Sequence, residues 1–344
     1  MLKKIYETIK KYISENHREL ILILSFYVVM TYPLPYYILV SGGTIDVSNR
    51  VEIVDEYSQK GSFSLAYVNE LKGTLPTVLL SNVMPNWTLY KESDYVIDET
   101  ENSSDIGERN RLSLIESQQY SAKVAYNAAK KKFDIKNNSY YIFYIYDFVK
   151  EYSSLRVGDK LISFDNNKIE DIEAYRTYVK NKKVGDEIDL VYLHNGKEKT
   201  TKLKVYEEDG ENYTGIMIST IYDYETDPKI EFKFSKNESG SSGGLTLALA
   251  IYNKLTKEDI TNGLKIVGTG TIEENGTVGQ IGGVEYKLKG AVKAKADVFI
   301  VPSGSNYKEA KKLVKKNKYK IKLIEATTFE ETLERLRDYT KNKK

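Results

Sequence analysis

Gly240-Ser241-Ser242-Gly243-Gly244-Leu245-Thr246-Leu247-Ala248-Leu249-Ala250-Ile251-Tyr252 is the stretch on which the reading of this chain turns. Five small residues pass at once into a run that is apolar almost all round, the pattern of a buried helix. Backbone N–H groups at the start of such a helix have no partner within it and point at whatever approaches the turn. A serine hydroxyl there can attack a carbonyl, and the neighbouring N–H groups can receive the developing oxyanion. Taken alone, the same residues also fit a glycine-rich turn with a capping serine.

Downstream, Thr269-Gly270-Thr271-Ile272 leads to a turn at Glu274-Asn275-Gly276 and then to Val278-Gly279-Gln280-Ile281-Gly282-Gly283-Val284-Glu285-Tyr286-Lys287. The residues that follow, through Ala296, read as a helix with the apolar stripe Val284, Leu288, Ala291 and Val292. Lys287 lies at the edge of that stripe, whereas Lys289 and Lys293 fall on the far face. Lys295 also lies near the stripe, so periodicity leaves Lys287 and Lys295 both open. A lysine turned toward a core loses solvation, which lowers its pKa and lets it act as a neutral base.

These segments resemble the Lon-type serine proteases. Gly-Ser-Ser-Gly-Gly before a helix is similar to that family's Gly-Pro-Ser-Ala-Gly nucleophile turn. Thr-Gly-Thr-Ile resembles its Thr-Gly-Glu-Ile, and Gly-Gln-Ile-Gly-Gly-Val-Glu-Tyr-Lys its Ile-Gly-Gly-Leu-Lys-Glu-Lys. Order and spacing agree over roughly residues 207 to 340. The resemblance implies Ser242 as nucleophile, Lys287 as general base and Thr269 as a supporting hydroxyl, with backbone N–H groups around Ser242 and Gly243 for the oxyanion. It also favours Ser242 over the adjacent Ser241. Ser241 replaces the family's proline and Gly243 its alanine, which predicts a looser turn.

The remaining composition narrows the chemistry. The chain has two histidines, His17 ahead of the apolar N-terminal run and His194 beside the Asn195-Gly196 hairpin signal. Neither suits a Ser-His-Asp triad, and the absence of cysteine excludes thiol catalysis and argues against a zinc site. No metal or cofactor is expected, and a Ser-Lys dyad is what remains. A net charge of +2 over 344 residues gives no nucleic-acid footprint. No Gly-x4-Gly-Lys-Ser/Thr phosphate loop occurs, so the ATPase that accompanies Lon is missing and an ATP-independent peptidase is implied.

Lys3, Lys4, Lys10, Lys11 and Arg18 precede a segment without charge from Leu20 to Ile45. Leu20 to Val40 has about the length that spans a bilayer as a helix. Pro33 and Pro35 end that helix near Tyr32, with Tyr32, Tyr36 and Tyr37 at the outer interface. The basic residues predict a cytoplasmic N-terminus and an extracytoplasmic remainder. An uncleaved anchor is expected, a cleaved signal peptide or a core helix being the rivals. Beyond it, Ser62–Val68 and Pro76–Ser81 read as strands, Glu99–Asp105 as a loop and Arg111–Lys132 as a helix.

Ser154-Leu155-Arg156-Val157-Gly158-Asp159-Lys160-Leu161-Ile162 resembles the Leu-x-x-Gly-Asp-x-Ile segment of PDZ domains. A strand at Tyr140–Ile145, a helix at Ile169–Val179 and a hairpin at Glu187–Val205 fit such a module, which takes an extended peptide as an added strand. The glycine loop expected before its first strand is replaced by Lys136-Asn137-Asn138, which argues against capture of a C-terminal carboxylate. Strands at Ile216–Ile221 and Ile230–Phe234 lead into the nucleophile turn, and Lys265–Gly268, Val298–Pro302 and Lys320–Ile324 complete an α/β domain.

The expected fold is therefore multidomain α/β and α+β. A cytoplasmic tail (1–18) and transmembrane anchor (19–40) are followed by a mixed extracytoplasmic region (41–134), a PDZ-like domain (135–206) and a Lon-type proteolytic domain (207–344). The expected function is a single-pass membrane-anchored serine endopeptidase acting on peptides or unfolded proteins, with an inactive peptide-binding scaffold as the alternative. The lipid bilayer is the second expected partner, nucleic acid is not one, and ring-forming homo-oligomers are implied by analogy with Lon-type domains.

Overall fold

The computed structural model describes residues 1–91 and 101–342. It divides into two compact units, one of Met1–Ser41 and Val68–Tyr95, the other of Gly42–Tyr67 and Val96–Lys344.

In the first unit, helix α1 (Leu2–Glu15) carries Ile5, Ile9, Tyr12 and Ile13 at helical spacing, with Lys3, Lys4, Lys10 and Lys11 around them. Helix α2 (His17–Thr31) has no buried residue, and Ile21 to Leu24 and Phe26 to Val29 are all exposed. It stops at Thr31 because Tyr32 is extended (φ −60°, ψ 126°) ahead of Pro33, as residues before proline are. Tyr36–Val40 then pairs antiparallel with Trp87–Lys91.

The helix ends next to Tyr32 as expected, but the expected 19–40 anchor is corrected, because from Tyr36 onward it is β-strand. The 15 residues of α2 reach about 22 Å at 1.5 Å per residue, against a hydrocarbon layer of about 30 Å. Among the described residues no helix is long and apolar enough to cross a membrane. Pro76–Ser81 is corrected too, being part of a helix (Leu75–Ser81). Its capping Thr74 donates its N–H to Thr77 Oγ1 at 2.8 Å, and proline in a first helical turn gives up no needed hydrogen bond.

The second unit contains α3 (Ser103–Ala128), longer than expected because Asn102 caps it by accepting from the Ser104 and Asp105 N–H groups. Ser103 to Asp105 of the expected loop are therefore its first turn, while Glu99 and Thr100 lie outside the described residues. A four-stranded parallel array follows the order Lys322–Ala326, Val298–Pro302, β4 (Lys265–Gly268) and the first residues of β1 (Ser62–Lys72). Alternate residues of these strands face two cores, as expected of parallel strands covered on both sides. Phe63, Leu65, Ile266, Val298 and Ile300 pack with α3, with helix α5 (Gly244–Leu255) and with Phe329 and Leu333. Val267, Phe299 and Val301 pack with Val284, Leu288 and Ala291 of α6 (Val284–Lys293). Val51–Ile53 pairs with Ile230–Phe232 against the first core. Residues well ahead of 207 are therefore part of the core under the Gly240–Gly244 turn.

Between these halves runs a sheet with a core of its own. Its order is β3 (Ile216–Asp227), β2 (Lys132–Ile145), Lys160–Phe164, Glu187–His194 and Lys197–Lys204, with α4 (Ile172–Lys180) beside it, capped by Asp171. The Glu187–Lys204 hairpin turns at Asn195 and Gly196, both at positive φ, the geometry that Asn-Gly favours.

Phe63 is 2% exposed. Phe63→Ala should lower the unfolding free energy by about 3–5 kcal/mol in chemical denaturation followed by circular dichroism. A loss under about 1 kcal/mol would contradict its place in the core.

Candidate active site

The turn from Gly240 to Gly244, where the nucleophile was expected, is fastened at Gly240, Ser241, Ser242 and Gly244. The Gly240 N–H donates to the Asn110 carbonyl (2.9 Å), and the Gly244 N–H closes the turn onto the Ser241 carbonyl (3.1 Å). The Ser241 carbonyl also accepts from Ser117 Oγ of α3 (3.2 Å). The Ser242 carbonyl accepts from the Gly270 N–H (2.7 Å) and from Thr269 Oγ1 (3.0 Å). Ser241, Ser242 and Gly243 are half-buried, whereas all twelve residues of α5 are buried. The expectation of a buried helix behind a small-residue turn holds.

Gly243 has φ −97° and makes no left-handed demand. A Cβ there would stand 3.1 Å from Leu65 Cδ2, so glycine here reflects close packing on β1. The expected looseness of the turn is not what its bonds describe.

Thr269 is fully buried at the end of β4 and its N–H is tied to the Ile300 carbonyl (3.0 Å). The structure thus brings Thr269, Ser242 and Gly243 together, the hydroxyl of Thr269 being given to the Ser242 carbonyl. Lys287 sits in the first turn of α6, its own N–H on the Gly283 carbonyl (3.1 Å). It is 3% exposed, while Lys293 and Lys295 are exposed and Lys289 pairs with Glu285 at 2.6 Å. Burial separates Lys287 from Lys295, which periodicity left open. Val284 and Leu288, flanking Lys287, pack with Val267 of the strand that ends at Thr269. Ahead of the turn, Glu238 bonds Arg50 Nε at 2.8 Å and the Ser235 N–H at 2.6 Å. Burial pushes its carboxyl up, but these donors outweigh that and hold it below the usual range.

His194 is engaged elsewhere, its Nδ1 2.7 Å from Asp159 Oδ1 within the Gly158-Asp159 motif.

A second site lies at β3. One edge of this strand pairs with β2, and it borders a groove of about 760 Å³ shared with α4. Ile172, Arg176 and Val179 line one wall, Ile216 and Ile218 the other. At the head of β3, Thr214 Oγ1 meets Tyr175 OH at 2.9 Å. Gly215 there has φ +71°, and a Cβ on it would fall 2.5 Å from Phe148 Cε2. A glycine that the turn requires thus stands at the head of β3, in the segment after the module. Thr214-Gly215-Ile216 ahead of an apolar strand was the available signal. Glu116 of α3 also borders this groove and accepts from Ser219 Oγ at 2.7 Å, and Gln119 donates to the Tyr222 carbonyl at 2.7 Å.

Comparison with known families finds two matching segments. The PDZ domain model fits residues 139–205, and that of the Lon protease (S16) C-terminal proteolytic domain fits residues 235–337. The chain therefore combines a PDZ domain with a Lon-type proteolytic domain, the pairing that the sequence resembles, and the latter supports a serine peptidase. Among solved structures, the PDZ domain of an SdrC-like protein from Listeria monocytogenes is similar at 24% identity, covering 25% of this chain and 92% of that one (TM-score 0.23). Its counterpart from Listeria innocua stands at 23% identity over 23% and 92% (TM-score 0.22). No curated protein matches the chain.

Burial raises the Glu116 carboxyl above its ordinary value, against the opposing pull of the Ser219 hydroxyl. An acid with a raised folded pKa contributes stability that is complete below its unfolded pKa and is lost as pH rises through the folded value. Glu116→Gln cannot ionise, so its melting midpoint should exceed the parent's at neutral pH and converge with it below about pH 4. A variant less stable than the parent at neutral pH would refute this account.

Proposed function

We propose that the chain is an ATP-independent, membrane-tethered serine endopeptidase using a Ser242–Lys287 dyad. The observation that carries this reading is the fastening of Ser242 on both sides together with a lysine 3% exposed on the helix packed behind the adjoining strand. Ser242 Oγ attacks the scissile carbonyl as uncharged Lys287 takes its proton. The Ser242 and Gly243 N–H groups receive the oxyanion, the tetrahedral intermediate collapses to an acyl-enzyme, and the lysine proton goes to the leaving amine. Lys287 then draws a proton from water for deacylation. Thr269 orients the amine, since a hydroxyl that donates to the Ser242 carbonyl still has lone pairs with which to accept.

The groove beside β3 takes an extended peptide segment, paired to the open strand edge and gripped by α4. Already extended or loosely folded chains are the substrates that strand addition in such a groove accepts.

The lipid bilayer is the partner of α2, whose apolar side chains are exposed all round and would be unfavourable in water.

With casein as substrate, Ser242→Ala, Lys287→Ala and Lys287→Arg should each lose at least about 10³-fold in rate, because a guanidinium supplies no neutral base. Ser241→Ala should remain active. Cleavage by Ser242→Ala at the parent's rate would remove the dyad. For the tether, the full chain should float with anionic phospholipid vesicles in a density gradient, and a chain lacking residues 1–31 should stay at the bottom. Equal behaviour of the two would refute the anchor.

A further inference from the structure

Helix α3 lies outside both matched segments, yet it grips the nucleophile turn at three points on one face. Asn110, Ser117 and Ser121 recur at helical spacing. Their contacts run to Gly240 (2.9 Å), to the Ser241 carbonyl (3.2 Å) and to the Gly244 carbonyl (2.8 Å). The fit is close: a Cβ on Gly244 would stand 2.7 Å from Ser117 Oγ.

Of the three contacts, the one at Ser117 bears on the chemistry. A trans peptide is planar and its C=O and N–H point in opposite directions. The unit joining Ser241 to Ser242 is trans, so holding the Ser241 carbonyl against α3 turns the Ser242 N–H away from α3. The next unit is held in the same manner, its carbonyl by Gly270 and Thr269, which sets the Gly243 N–H. Those two N–H groups are the oxyanion donors of the proposed mechanism.

We propose that Ser117 is a positioning residue of the peptidase, which presets the direction of the Ser242 N–H by holding the Ser241 carbonyl. This rests on the reading of Ser242 as nucleophile. Preset donors stabilise the transition state without reorganising as charge develops, so the effect of Ser117 falls on kcat and not on substrate binding. Ser121 is the internal control. It is as deeply buried and bonds the same turn, but at a carbonyl beyond the two peptide units that flank Ser242.

The test uses the full chain, a quenched fluorescent peptide derived from casein and a peptide boronate that forms a tetrahedral adduct. Losing one oxyanion donor outright costs about 10²–10³ in kcat; with the Gly244 N–H still on the Ser241 carbonyl, Ser117→Ala should cost about tenfold. KM should stay within about twofold, and the boronate inhibition constant should rise by about the same tenfold. Ser121→Ala should lower the melting midpoint comparably and leave kcat within about twofold of the parent. An unchanged kcat in Ser117→Ala, or an equal fall in Ser121→Ala, overturns the proposal while leaving the dyad intact. A parent whose hydrolysis does not depend on Ser242 overturns the dyad and this proposal together.

Discussion

Two donors converge on the carbonyl of Ser242, the backbone of Gly270 and the hydroxyl of Thr269, and the arrangement of the second unit follows from delivering them there. Both sit immediately after β4, an interior strand with parallel neighbours on either side. Such a strand has little freedom to shift, because its backbone is bonded along both edges and its side chains alternate into two cores. The end of β4 is therefore a fixed point. The turn is hung from it on one side and held by α3 on the other.

That geometry explains why glycine at 243 need not loosen the site. In a turn held only by its own sequence, exchanging alanine for glycine frees the backbone. Here the carbonyls of Ser241 and Ser242 and the N–H of Gly244 are already committed, and an added methyl group would meet Leu65 at 3.1 Å. Burial of Lys287 belongs to the same plan, since α6 is pressed on the opposite core through Val284 and Leu288.

Much of the site was legible in the sequence because its signals are local. The small-residue turn, the apolar helix behind it and the Gly-Asp motif of the PDZ domain each occupy a dozen residues or fewer. Asn195-Gly196 likewise announces its own turn. What escaped depends on partners far along the chain. Ser62–Leu65 lies beside Lys265–Gly268 across some two hundred residues, and no periodicity in either strand names the other. α3 reads as a helix, but nothing in its pattern assigns Ser117 to the turn at Ser241. Leu20–Val40 misled for a different reason: hydropathy measures how apolar a segment is, and both a helix and the strand that follows Pro35 satisfy it. At Pro76 the apolar run hid a threonine cap, which reads as helix only when the two threonines are paired.

The PDZ domain is joined to the rest by β2 and β3, which run side by side from Lys132 and Asp227 to Ile145 and Ile216. The chain thus goes out and comes back through one doorway, with its two jambs a strand's width apart. An excursion of this form leaves the path of the surrounding fold unchanged in length, so loops of the module beyond Ile145 and Ile216 can be enlarged or trimmed while the frame that holds Ser242 keeps its dimensions.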